Sequence, residues 1–109
     1  IDMLMGIGAA PEGVITATAL RGLDAPFEGR LVFKNEGHRE RAEEMIEGDI
    51  ERIWSRDELC STEDSIFIGT GVCDGRTTGV EDLGNGSYSV HSEIIDVKSK
   101  KHYFVSTTI

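Results

Sequence analysis

The sequence predicts an α/β fold, a layered sandwich whose mixed sheet is built from parallel β-α-β units followed by a C-terminal antiparallel hairpin. Three observations lead there. Strand-like and helix-like periods succeed one another in the order strand, helix, strand, helix, strand. The final stretch alternates in polarity and is rich in β-formers. A length of 109 residues, with no linker composition and no internal repeat, fits residues 1–109 as a single domain.

The elements follow in order. Ile1-Asp2-Met3-Leu4-Met5 reads as a short buried strand that runs into the turn Gly6-Ile7-Gly8-Ala9-Ala10. Pro11 marks a helix start, because its missing N–H costs nothing in the first turn. From Val14 to Leu23 the helix is apolar on nearly every side, which predicts deep packing against a sheet, and Gly22 is its stop signal. Arg30 to Lys34 reads as a second strand. Glu36 to Glu47 is a helix with His38, Ala42, Met45 and Ile46 on one face, so Met45 is expected in the core. Ile50 to Trp54 reads as a short strand. Ser55-Arg56-Asp57-Glu58 has the form of a capping box and opens a brief helix. Ser65 to Val72 reads as a buried strand around Ile66, Phe67 and Ile68. A glycine-studded segment reaches Gly86. The hairpin then runs from Tyr88 to Val97, turns at Lys98–Lys101, and returns from His102 to Thr108.

Charge narrows the function. The net charge is −9, and nine carboxylates face four arginines between Glu36 and Glu58. Such a surface repels phosphate backbones and anionic lipid, which argues against nucleic-acid and membrane partners. No apolar run approaches the roughly 20 residues of a membrane helix. Ile1 to Ala10 does not have the form of a secretory signal. Cys60 and Cys73 stand in no metal-ligand spacing, so reduced thiols in a cytoplasmic protein are expected.

Two places could carry chemistry. In Gly6–Gly13 a glycine turn feeds a helix whose first N–H groups are free for an anion. Glu12 in that first turn could equally hold a divalent cation or simply stabilise its helix. A dinucleotide fingerprint would need a glycine where Pro11 stands, and neither Glu28 nor Glu36 ends a predicted strand as a ribose ligand should. The second place is Gly69–Gly75, at the end of the Ile66–Ile68 strand, where a ligand loop or a tight Asp74-Gly75 corner would fit. His91 reads as a structurally satisfied histidine, and no nucleophile is placed for His38 or His102.

Together these segments resemble the class II fructose-1,6-bisphosphatases, in some bacteria also sedoheptulose-1,7-bisphosphatases. The likeness runs through nearly the whole chain. It rests on the order and spacing of Met5-Gly6-Ile7-Gly8, Pro11-Glu12-Gly13-Val14, Gly29-Arg30-Leu31, Asp57-Glu58-Leu59, Gly69-Thr70-Gly71-Val72 with Asp74-Gly75, and His91-Ser92. It implies the C-terminal domain of a cytoplasmic hydrolase that removes the 1-phosphate of a ketose bisphosphate. Mg²⁺ or Mn²⁺ would polarise the phosphoryl group and activate water.

Within the family's Gly-Gly-x-Pro-Glu-Gly motif, Glu12 matches the metal-binding glutamate, and Ala9 replaces the second glycine, which is associated with substrate contact. A backbone contact survives alanine where the local φ is negative. The family's other metal carboxylates, phosphate contacts and catalytic threonine belong to its preceding part. The expectation is therefore a C-terminal fragment or stand-alone relative, inactive alone, completed by the missing N-terminal half or by a homodimer. The alternative is a non-catalytic oligomerising domain, or one that binds phosphate or a nucleotide.

Overall fold

A computed structural model of the chain describes residues 3–109. Helix α1 spans Ala10–Gly22, and its C-terminal end is closed by backbone hydrogen bonds. Ala25 N–H donates to Leu20 O (2.9 Å) and Asp24 N–H to Arg21 O (3.2 Å), with Asp24 at φ 55°. This is a Schellman closure with aspartate, not Gly22, in the left-handed position. Gly22 serves a different purpose. A β-carbon there would collide with Cγ2 of Ile95, so its bare backbone lets the helix sit close on the sheet.

Strand β1 (Glu28–Gly29) pairs antiparallel with β2 (Trp54–Ser55). Between them lies α2 (Glu36–Met45), opened by Asn35, whose side chain accepts from His38 N–H (3.0 Å). The predicted capping box forms ahead of α3 (Arg56–Leu59). Ser55 N–H donates to Glu58 Oε1 (3.1 Å), and Glu58 N–H to Ser55 Oγ (3.3 Å). Arg56 Nη1 donates to Ala25 O, Arg21 Nη1 donates to Cys60 O, and these bonds clip α3 to the end of α1.

The main sheet has β3 (Ile66–Thr70), β4 (Glu81–Gly84), β5 (Ser87–Asp96) and β6 (His102–Thr108). The ten-residue β5 is its spine. On one side β5 pairs with β3 (Ile68 opposite Ile94) and, further along, with β4 (Glu81 opposite Ser89). On the other side it pairs with β6 (Ser92 opposite Val105). The hairpin expected from alternation forms almost as read. The β4–β5 hairpin, unread in the sequence, turns on Asn85 (φ 55°) and Gly86 (φ 74°) between paired Gly84 and Ser87. Asn-Gly is a strong signal for that two-residue turn.

Several expectations need correction. Among the described residues every strand pair is antiparallel, so the parallel β-α-β units do not form. Met3–Met5 is exposed and not a strand, and Arg30–Lys34 is not a strand either. A run with strand propensity becomes a strand only where a neighbour takes up its N–H and C=O groups. Ile1 and Asp2 lie outside the described residues. No residue of α2 is buried and Met45 is exposed, because the helix is polar on most sides and offers too little apolar area to bury. Finally, β3 is only half-buried: Phe67 points inward while Ile66 and Ile68 are 59% and 62% exposed.

Among the described residues the buried apolar ones are Ala17, Ile50, Cys60, Ile95 and Val97. Gly22 of α1 meets the Ile95 side chain and the Val97 backbone at one end of the sheet. Replacing Gly22 by Ala should cost about 1–3 kcal/mol in overpacking, since the β-branched Ile95 has little rotamer freedom to yield. That exceeds the gain of about 1 kcal/mol in helix propensity. A lower urea midpoint for Gly22→Ala is the expected result, and an unchanged or higher one would contradict this packing.

Candidate functional site

Ala9 caps α1 with an extended backbone (φ −78°, ψ 162°), and no side chain caps that end. The φ is negative, so a β-carbon at Ala9 brings no backbone strain. The first intrahelical bond is Gly13 N–H to Ala9 O (3.4 Å), which leaves the Ala10 and Glu12 amides ahead of the ladder. Pro11 removes the amide between them. Glu12 sits in the same first turn, exposed, with its carboxylate folded back over Gly8. The two residues marked in the sequence, Ala9 and Glu12, therefore share one helix end with an anion-favouring dipole.

A carboxylate is a suitable hard-oxygen ligand for Mg²⁺ or Mn²⁺. The remaining ligands are not at hand. Among the described residues no group of three or more His, Cys, Asp or Glu side chains could hold a metal ion. Glu12 fits as one member of a coordination shell, and the described residues do not complete that shell.

The glycine loop after β3 is closed in part by its own polar groups. Asp74 Oδ1 accepts from Gly79 N–H (2.9 Å), Gly75 N–H donates to Thr77 O (3.0 Å), and Val80 N–H to Val72 O (3.2 Å). Asp74 thus organises a folded loop. Cys60 is buried and Cys73 exposed, and both are free thiols.

Two polar clusters on the helix-bearing side of the sheet were not foreseen. Glu93, only 3% exposed, accepts two bonds from Arg76, at 2.6 Å from Nε and 2.7 Å from Nη2. His102 Nε2 donates to the same carboxylate at 2.6 Å. Further along, His91 lies 2.8 Å (Nδ1) from Ser106 Oγ and 3.0 Å (Nε2) from Glu81 Oε2. The ring is hydrogen-bonded on both nitrogens, as a structural histidine should be. The sequence held a signal for Glu93: it falls in the same alternation phase as Ile95 and Val97, where a carboxylate must find partners. A groove of about 270 Å³ between α1 and the sheet ends at Arg76 and Glu93 but does not reach Ala9 or Glu12.

The chain belongs to a known family. All of residues 1–109 match the family described as bacterial fructose-1,6-bisphosphatase, glpX-encoded. It is 40% identical, over 98% of its length, to a D-fructose 1,6-bisphosphatase class 2/sedoheptulose 1,7-bisphosphatase of Synechococcus sp. (strain JA-2-3B'a(2-13)), covering 34% of that protein. A protein of the same description from Synechococcus sp. (strain JA-3-3Ab) is 39% identical over the same shares. One from Prochlorococcus marinus (strain MIT 9515) is 45% identical over 66% of the chain and 26% of that protein. The chain thus spans about a third of the length of the Synechococcus relatives. No helix among the described residues is long and apolar enough to cross a membrane.

The hydrogen bonds from Arg76, and after them that from His102, hold the Glu93 carboxyl below its ordinary value near 4.5, against the opposing effect of burial. A depressed folded-state pKa stabilises the fold above the unfolded value, and that contribution is lost as pH falls through the folded one. Stability should therefore fall from about pH 5 towards pH 3 more steeply in the native chain than in Glu93→Gln, as read by urea unfolding. Equal slopes would show that Glu93 is not the group responsible.

Proposed function

We propose that this chain is the Glu12-bearing part of a cytoplasmic, divalent-metal-dependent phosphatase that removes the 1-phosphate from fructose 1,6-bisphosphate or sedoheptulose 1,7-bisphosphate. The reading is carried by one juxtaposition. The glutamate of the family motif stands on an uncapped helix N-terminus beside Ala9, within a chain that matches the family over its whole length. The relatives' descriptions, fructose- and sedoheptulose-bisphosphatase, support the substrate class.

In this role Glu12 supplies one carboxylate to a Mg²⁺ or Mn²⁺ ion, and the Ala9 backbone lies against the sugar phosphate. A bound ion polarises the phosphoryl group and lowers the pKa of water. The chain's own task is positional. The helix fixes the carboxylate, its free amides favour an anion, and Pro11 presets the first turn. The remaining ligands come from the part of a family-length protein that this chain does not include. By itself the chain is inactive.

A phosphate-release assay with fructose 1,6-bisphosphate and Mn²⁺ tests this. The isolated chain should give no metal-dependent turnover. A fusion in which it replaces the matching third of the strain JA-2-3B'a(2-13) relative should be active, and Glu12→Ala in that fusion should lower turnover at least 100-fold. Turnover by the isolated chain, or an active fusion indifferent to Glu12→Ala, would overturn the proposal.

A further inference from the structure

The face of the main sheet turned away from α1 carries an apolar ladder across three strands. Ile68, Ile94 and Tyr103 are register partners on β3, β5 and β6, with Ile66 on one side and Val105 on the other. Ile66, Ile68 and Tyr103 are exposed, and no helix covers this face among the described residues. Soluble monomers rarely leave an apolar stripe of this kind in water.

The surface of the whole chain shows the same deficit. Its accessible area is 8192 Å², whereas a folded monomer of 11.9 kDa exposes roughly 5,900 Å². Its radius of gyration is 17.5 Å, against about 13 Å for a compact chain of this length. The excess, on the order of 2,000 Å², is well above the roughly 800 Å² that each partner contributes to a standard protein–protein interface. Exposed apolar residues also lie in separate places: Met3 to Ile7, Val14 and Ile15 of α1, and the sheet face. A second copy meeting this chain at a single twofold patch covers one such place, while a larger body wrapped around the chain covers all three. Relatives about three times as long provide a body of that size.

We propose that the Ile66–Ile68–Ile94–Tyr103–Val105 face is an interior layer of the family-length protein, covered by an apolar surface from the two thirds of the protein outside this chain, and not by a second copy. This assignment rests on family membership and exposed area. It holds whether or not Glu12 binds a metal.

Thiol labelling in the fusion protein tests it. With Cys73→Ser removing the exposed native thiol, single variants Ile68→Cys, Tyr103→Cys and, on the polar helix α2, Glu44→Cys are reacted with a maleimide. The expected result is labelling at 68 and 103 at least 100-fold slower than at 44, at every protein concentration. Equal rates would overturn the proposal. So would protection that vanishes on dilution, because a second copy would then be the cover.

The same face can be read without a fusion by titrating this chain with the separately produced remainder of the Synechococcus relative. One-to-one binding weakened at least 100-fold by Ile66→Asp with Ile68→Asp is expected, and no binding, or binding indifferent to those changes, would overturn it. Protection at 68 in a fusion without phosphatase activity would leave this assignment standing and count against the catalytic reading alone.

Discussion

Ile95 reaches into the space left by the missing side chain of Gly22, and that contact sets the height of α1 above the sheet. Val97, whose backbone also lies against Gly22, is buried in the same seam. Lys100, from the turn between β5 and β6, ties the arrangement down by donating from Nζ to Arg21 O (2.7 Å), a cation placed at the helix C-terminus where the dipole favours it. Arg21 and Arg56 bind α3 to the same end. Every anchor found for α1 therefore acts on its C-terminal half. Among the described residues the opposite end, with Ala9, Glu12 and the exposed Val14 and Ile15, has no comparable support. The candidate site stands on the free end of a helix held at its other end.

This asymmetry explains why the fold was only partly legible in sequence. The β5–β6 hairpin was readable because each strand's pairing partner is its neighbour in the chain. The start of α1 was readable from Pro11 and the start of α3 from Ser55 and Glu58, since caps depend on residues within one turn. Asn35 and Asn85-Gly86 were equally local signals and mark the α2 cap and the β4–β5 turn. The errors share a different cause. Met3–Met5, the all-round apolar α1 and the Ile66–Ile68 run were read as buried because their composition suits burial. Apolarity records what a side chain is fit to contact, and not whether the contacting layer lies in the same stretch of chain.

The site divides in the same way. Ala9 and Glu12 are three residues apart, so one helical turn brings them together and the motif alone could place them. The Arg76–Glu93–His102 cluster joins a loop and two strands, and only the strand register shows that they meet. A buried Glu93 with two cationic or hydrogen-bonding partners holds the loop after β3 to the sheet. It does so on the α1 side, away from the open apolar face.

The most direct test is hydrogen exchange along α1. In the isolated chain the amides of Gly13–Thr16 should exchange rapidly while those of Leu20–Leu23 are protected. Both groups should be slow in the fusion that restores the rest of the family's length. Uniform protection along α1 in the isolated chain would contradict a helix held at one end, and with it the claim that this chain needs the remainder to steady its site.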